Sequence, residues 1–503
     1  MHFCISALHL HHFFCINPAP RIPPSLPFGR HIVRYPCPDV AVAAAPARQA
    51  PADPRPLAAL AVGFIMAMLD VTVVNVALTD ISRSLEVSLA GLVWVVDGYT
   101  LAFAALLLAG GALADRLGAR AVYLAGLAAF TVASVACGLA WDGTSLVGAR
   151  LAQGAGAALF IPSSLSLLVH AYADEKVRAR MVALWSAIVT LSVAAGPLVG
   201  GLLIAHFGWR SVFLINVPVG LAGALLTLKL VRPAPARPRA LNLGSHALGI
   251  AALAALCYAL IQGPEQGWTA PAILLTAATA LVAGSLLARR EKRSGAPLVP
   301  RELLAAPGFI PANGIGFLAN FSVYGQLFLV SLYLQRARGA GPLDTGLQLL
   351  PLMLILVLGN LVSGRISARR GTRFSMLSGT GLAALATACA ALHGTALPYG
   401  LFMALLVGGN LGVAIAIPAM TATVMQAGGK EHANSAAAVL NASRQIGTLV
   451  GVAAMGSLLH ALPDWNNGMP VALAMIASGY AAAWLIVLRR LHADRAPAAQ
   501  GPL

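Results

Sequence analysis

Four ionisable residues interrupt stretches that are otherwise apolar: Asp70, Asp97, Arg150 and Arg444. A charge inside an apolar span is costly to desolvate, so it usually marks an ion or substrate pathway. At about 1.5 Å of rise per residue, Asp70 lies roughly 20 Å from the start of its stretch at residue 57, and Asp97 and Arg150 roughly 9 Å inside theirs. The three therefore share one depth. A buried carboxylate beside a fixed guanidinium feels two opposed influences: desolvation favours the neutral acid and the cation favours the carboxylate. A proton or a ligand can tip such a balance, which is what coupling two fluxes requires. The plainer alternative is a snorkelling side chain or a structural ion pair, and it weighs most on Asp97, nearest the surface. Gln153 and Gly154 share the face of Arg150 at i+3 and i+4, the glycine leaving room for a close neighbour. Asn441, Arg444, Thr448 and Gly451 form one polar face of another helix, lining either a cavity or a packed seam.

No enzyme is legible here. Serines, histidines and acids are scattered without nucleophile–base spacing, and there is no Gly-x-x-x-x-Gly-Lys-Ser/Thr loop to hold a nucleotide. Cys4, Cys15, Cys37, Cys137, Cys257 and Cys389 show neither a CxxC nor a zinc spacing. No metal site and no cofactor is expected. Transport through such a chain must draw on an ion gradient or be passive, with Asp70 and Asp97 as the available proton carriers.

The elements that position these residues follow from composition. Of 503 residues 58% are hydrophobic and 10% charged, with a mean hydropathy of +0.80. Soluble domains carry roughly 25% charged residues, so this is a polytopic membrane protein. The net charge of +16 does not indicate nucleic acid, because about 22 of the 33 Lys and Arg residues fall in alternate loops and the C-terminal tail. Only Arg83, Arg210, Arg336 and Arg338 fall in the opposite set, the asymmetry that places basic loops in the cytoplasm. Fourteen apolar spans are expected, at 57–79, 91–112, 121–140, 144–170, 181–205, 211–231, 243–262, 271–288, 309–333, 345–367, 374–393, 397–425, 435–460 and 470–490. An even number puts both termini in the cytoplasm.

Between spans two and three stands Gly111-Ala112-Leu113-Ala114-Asp115-Arg116-Leu117-Gly118-Ala119-Arg120, and Gly364-Arg365-Ile366-Ser367-Ala368-Arg369-Arg370-Gly371-Thr372-Arg373 nearly repeats it. A repeated basic hinge between apolar helices points to two homologous membrane halves. The expected organisation is a disordered tail over 1–56 (with His9, His11 and His12 in it, and a start codon placed too far upstream as the alternative), a six-helix bundle over 57–231, a linker with two inserted helices over 232–300, a second six-helix bundle over 301–490, and a tail over 491–503.

The hinge resembles the helix 2–3 signature of the major facilitator superfamily, with Ala119 replacing one usual basic residue. Three further stretches resemble its fourteen-helix drug:proton antiporter branch. They are Leu69-Asp70-Val71-Thr72-Val73-Val74-Asn75-Val76-Ala77-Leu78, then Arg150-Leu151-Ala152-Gln153-Gly154-Ala155-Gly156-Ala157-Ala158, and Ala195-Gly196-Pro197-Leu198-Val199-Gly200-Gly201. Trp209-Arg210 and Phe213–Pro218 resemble the start of its sixth span, a structural feature. The resemblance covers roughly residues 57–490. It implies an all-α fold of two pseudo-symmetric six-helix bundles plus two inserted helices, working by alternating access.

By the same resemblance Asp70, Asn75, Arg150 and Gln153 handle proton and substrate, and Asp97, Asn441 and Arg444 join them as charged or polar residues within the apolar spans. Gly111, Asp115, Arg116, Gly118, Arg120, Gly364, Arg369, Gly371 and Arg373 form a conformational gate, and Gly196, Pro197, Gly200 and Gly201 mark an exporter. Asp115 is expected to meet the start of span thirteen near Asn434-Ser435, or a neighbouring basic residue, when the cytoplasmic side closes, a contact Ala368 cannot mirror. The implied activity is proton-coupled export of lipophilic, cationic drugs across the bacterial inner membrane. The expected partners are small-molecule substrate, protons and lipid, with no nucleic acid, in a monomer that a periplasmic adaptor could join. An exporter of siderophores, amino acids or similar metabolites, or a transport-dead sensor, is the alternative.

Overall fold

In hydrocarbon every backbone N–H and C=O must find a partner within its own segment, and the apolar stretches do so as α-helices. The computed structural model describes residues 53–172, 174–233, 242–295 and 297–491. Cys4, Cys15, Cys37 and the histidine-rich tail lie outside that description, as do most of 232–241 and 492–503. Among the described residues twelve helices are long and apolar enough to cross a membrane. They are α1 (Arg55–Leu85), α2 (Leu89–Leu117), α3 (Ala119–Gly138), α4 (Gly143–Ala171), α5 (Glu175–Phe207) and α6 (Ser211–Leu230), followed by α7 (Leu243–Gln266), α8 (Pro271–Arg293), α9 (Phe309–Leu332), α10 (Pro342–His393), α11 (Tyr399–Ala461) and α12 (Trp465–Arg490).

Two of the twelve are doubled. At about 1.5 Å per residue, the 52 residues of α10 would run ~78 Å if straight, more than twice a hydrocarbon core of about 30 Å. Instead α10 breaks at Gly371 (φ 82°) and the 63-residue α11 breaks at Gly429 (φ 55°), in a conformation that a Cβ would strain. The stretches expected at 345–367 and 374–393 lie on the two arms of α10, and those at 397–425 and 435–460 on the two arms of α11. In α11 the span long and apolar enough to cross is Tyr399–Gly429, so the described residues give twelve such helices and not fourteen.

The repeat seen in the sequence recurs in the packing. Gly118 (φ 94°) turns α2 into α3 as Gly371 turns the two arms of α10. Two residues beyond each glycine stands an arginine with the same task. Arg120 donates to the Leu228 carbonyl at 2.7 Å near the end of α6, and Arg373 donates to the Leu491 carbonyl at 2.6 Å and that of Leu488 at 3.3 Å at the end of α12. The last carbonyls of a helix have no partner within it, so each arginine ties the hinge to the final helix of its own half.

The helix crossings repeat as well. A Cβ on Gly126 would lie 2.8 Å from the Gly156 carbonyl oxygen, and one on Gly379 would lie 2.5 Å from that of Gly412. Lipid offers helices no hydrophobic drive to associate, so such close backbone approach supplies the packing that holds each bundle.

Helices α7 and α8 pack along one another, and only Ile273 and Ala283 of α8 are buried. Its Leu281 is 73% exposed, a lipid-facing side chain in a chain of this kind. Helix α7 also touches both α2 and α11, with the Trp94 and Tyr258 rings tilted against each other at 6.2 Å and Ser88 Oγ donating to Glu265 Oε1 at 2.8 Å.

At the end of the molecule opposite the hinges the two halves are tightly joined. Ser331 Oγ and Gln335 Nε2 donate to the Asn75 carbonyl at 2.7 and 3.3 Å, Gln335 being carried on a π-turn (Tyr333–Ala337) that extends α9. There α5 lies against the start of α10, where a Cβ on Gly201 would come within 2.7 Å of the Pro342 carbonyl oxygen. At the hinge end, Asp115 and Arg116 are exposed and form no hydrogen bond or ion pair among the described residues. The second arm of α11 starts just past Gly429, ahead of the expected Asn434-Ser435.

Candidate functional site

Asp70 on α1 and Arg150 on α4 meet inside the first bundle. Arg150 Nη1 donates to Asp70 Oδ2, in an ion pair whose side chains are 0% and 1% exposed for Asp70 and Arg150. The rest of the guanidinium is held by α2 and by its own helix. Its Nε donates to the Val95 carbonyl at 2.9 Å, and Nη1 also reaches Gln153 Oε1 at 2.8 Å. The cation stands 4.6 Å from the centre of the Tyr99 ring, where an aromatic face offers further stabilisation. Gln153 passes the network on, its Nε2 donating to Ser134 Oγ at 2.7 Å and to Asp70 Oδ1 at 3.4 Å. Asn216 on α6 donates to Asp70 Oδ1 and Ser134 Oγ, both at 3.3 Å. Five helices thus join one network around Asp70, and in a low-dielectric interior each member of such a network holds the others in place.

Sequence reasoning missed Ser134 here and treated Asn216 as part of a structural motif. The available signal was an asparagine in an apolar run, where α6 is interrupted between Leu214 and Asn216.

A small cavity lies between the two bundles beside this network. Val71, Asn75, Val96, Tyr99, Thr100 and Arg150 line it from the first bundle, and Tyr324, Thr448 and Val452 from the second. Asp70 and Arg150 were expected to face it together. Only Arg150 does; Asp70 stands behind it, because the bonds to Gln153 and Asn216 draw the carboxylate into the bundle.

The other expected residues divide in the same way. On α11, Thr448 lines the cavity and Arg444 stands one turn from it. Gly451 is turned to a seam instead, since a Cβ there would meet the Phe321 carbonyl oxygen on α9 at 2.2 Å. Asn441, two turns from Thr448, is half-buried. Gly154 takes the close approach its type suggested, its Cβ position 2.2 Å from the Tyr99 carbonyl oxygen.

The Gly196–Gly201 stretch sits where three helices meet. Cβ atoms on Gly196 and Gly200 would strike Thr72 and Val73 of α1, and Gly201 and Pro197 face Pro342 and Gly346 of α10. Of the hinge residues, Gly118 and Gly371 are turns, Arg120 and Arg373 are anchors within each half, Gly111 and Gly364 face open space, and Arg369 is exposed.

Asp97 is 0% exposed, yet neither of its carboxylate oxygens has a hydrogen-bond partner. It faces away from the cavity, within electrostatic reach of Cys257 on α7. Because no ion pair depends on it, Asp97→Asn, nearly the same shape, should leave gradient-driven transport within about threefold of wild type, a change of less than ~1 kcal/mol. Flux assays on vesicles check this, and a loss as complete as that expected for Asp70 would give Asp97 an equal share in coupling.

Outside the membrane Asp142, Asp174 and Asp464 serve as helix caps. Asp142 caps α4 through the Ser145 amide at 2.7 Å, and the hydrogen bonds from Ser145 hold its carboxyl below the usual aspartate range. Among the described residues no group of His, Cys, Asp and Glu could hold a metal ion.

Comparison with known proteins agrees with this geometry. Residues 60–452 match the model of the Major Facilitator Superfamily. The chain is 46% identical over 442 residues to a methylenomycin A resistance protein of Streptomyces coelicolor, covering 86% of this chain and 92% of that one. A methylenomycin A resistance protein of Bacillus subtilis is 45% identical over 88% of this chain and 95% of its own. The multidrug resistance protein Stp of Mycobacterium tuberculosis is 36% identical over 80% of this chain and 75% of its own. Among solved structures, a POT family transporter in complex with 5-aminolevulinic acid superposes with a TM-score of 0.65 at 17% identity, over 86% of this chain and 95% of that one.

Proposed function

The chain belongs to the major facilitator superfamily, and from that premise we propose that it is a proton-driven exporter of small toxic compounds in a bacterial plasma membrane. The relatives' resistance functions support export of antibiotic-like molecules, and the absence of a nucleotide loop in the sequence supports an ion gradient as the source of energy. Both termini lie in the cytoplasm in this reading, with fourteen spans and a monomer as the working unit. The hinge end is then cytoplasmic, and the joined end of α1, α5, α9 and α10 is the closed outer gate.

The observation that carries the proposal is the double engagement of Arg150, bonded to Asp70 on one side and lining the inter-bundle cavity on the other. A proton arriving at Asp70 cancels the charge that holds Arg150. The freed guanidinium then changes what the cavity presents to a substrate, and substrate in the cavity changes in turn the hold of Arg150 on Asp70. Each ligand thus acts on the affinity for the other, the reciprocity that antiport requires.

The test is a panel of antibiotic tolerances in a strain stripped of its own exporters, with and without this gene. Raised tolerance to at least one compound, lost when the proton gradient is collapsed, is the expected result. Unchanged tolerance to every compound, with the protein present in the membrane, would overturn the reading.

A further inference from the structure

The charge balance around the cavity carries a statement about its substrate. Arg444 projects from α11 one turn from Thr448, which lines the cavity. Its Nε is fully buried without a hydrogen-bond partner, and its guanidinium forms no ion pair among the described residues. Its side-chain stem passes the Gly316 position on α9, where a Cβ would lie 3.4 Å from Arg444 Cγ, and the charge is within electrostatic reach of the Tyr324 phenol of the lining. A second guanidinium, that of Arg150, lines the cavity itself. Arg150 uses Nε and Nη1 on the protein, and Nη2 has no partner among the described residues. The Tyr99 hydroxyl, also in the lining, has no partner either.

No carboxylate offsets this among the described residues. Asp70 is committed to Arg150, Gln153 and Asn216, and Asp97 faces α7. The other described acids stand at or near helix ends. The lining therefore offers donors and the Arg150 guanidinium, and a second guanidinium, that of Arg444, stands one turn away without an ion pair. A buried cation without a partner is expensive to maintain, and occupation by an anion relieves that cost.

We propose that the cavity selects small organic carboxylates, with Arg444 as the first charge they meet and Arg150 Nη2 and the Tyr99 hydroxyl as further donors. This rests on the exporter reading and sharpens it, for it sets the chemistry of the cargo opposite to the lipophilic cation that the motif resemblance implies. An anion leaving and a proton entering both move charge down an interior-negative membrane potential, so such a cargo uses the full electrical gradient. Protonation of Asp70 would add to the attraction by freeing Arg150.

The experiment uses the full chain in lipid nanodiscs and three probes on one ring system: 1-naphthoate, 1-naphthylmethylamine as its ammonium, and uncharged 1-naphthalenemethanol. Calorimetric binding by the wild type should favour naphthoate over the ammonium by about tenfold or more, the scale of one charge-assisted hydrogen bond. Arg444→Gln should erase that preference, Arg444→Lys should keep part of it, and Arg444→Glu should reverse it. A wild type that ranks the ammonium first, that fails to distinguish the probes, or that binds no naphthoate overturns the proposal whether or not the variants fold. An Arg444→Gln protein that keeps the wild-type ranking overturns the part given to Arg444. The antibiotic panel is read separately: tolerance with no anion preference removes this inference and leaves the exporter, whereas tolerance to nothing removes the exporter itself.

Discussion

Inverted vesicles carrying Asp70→Asn should fail to accumulate substrate under an imposed pH gradient that lets wild type concentrate it, a loss of at least about a hundredfold, or ~2.7 kcal/mol of coupling. Asparagine keeps the shape of the side chain and an oxygen for Arg150 Nη1 but cannot gain or lose the proton. Deleting one partner of a buried ion pair outright costs roughly 3–5 kcal/mol because the other charge is left alone. The amide softens that cost, and the bonds from Arg150 to the Val95 carbonyl and Gln153 remain. The protein should therefore fold and still let substrate equilibrate downhill. That pairing of results separates coupling from structure: no uphill transport with intact downhill exchange places the proton at Asp70. Full uphill transport by Asp70→Asn would remove the residue from the mechanism and leave only the fold.

The second large effect is expected at the outer gate. A Cβ on Gly346 would lie 2.3 Å from the Pro197 carbonyl oxygen and 3.1 Å from its carbon. Both are backbone atoms of α5, so no side-chain rotation can relieve the clash. Gly346→Val must therefore push α10 away from α5, and overpacking of this kind costs about 1–3 kcal/mol. The cost falls on the arrangement with the outer ends joined, whereas an arrangement with that seam parted escapes it. At ~1.4 kcal/mol per tenfold, the population should move toward the outward-open form by about tenfold or more. The measurement is the rate at which an impermeant maleimide, added outside, labels a cysteine placed at Val71 in a background lacking the native cysteines. Faster labelling with impaired transport is the expected outcome. Unchanged labelling and unchanged transport would mean that the α5–α10 contact is not a gate.

This seam also shows what a motif conveys and what it leaves out. The Gly196–Gly201 stretch was legible as a place of close backbone contact around a proline. Its partners were not, since Thr72 is far back in the chain, Pro342 and Gly346 are far ahead, and glycine carries no sign of which helix it faces. The hinge arginines are a similar case. Arg120 and Arg373 announced themselves by repetition, but their hydrogen bonds to the ends of α6 and α12 depend on where those helices stop.

By itself the sequence determined that the chain crosses a membrane many times, that its two halves repeat, and that a few charges sit at one depth in the apolar spans. Each of these is a local or periodic property. Hydropathy over about twenty residues decides a span, a repeated hinge declares a repeat, and the fixed rise of a helix sets depth. The tertiary structure alone decided which of those charges meet. Asp70 lies 80 residues from Arg150 and 146 from Asn216, and only the convergence of α1, α4 and α6 makes them one network. It alone turned Asp97 toward α7 and set Arg444 within reach of Tyr324, one turn from the cavity lining. Successive residues on a helix point about 100° apart, so the face a side chain presents acquires meaning only once the neighbouring helices are in place.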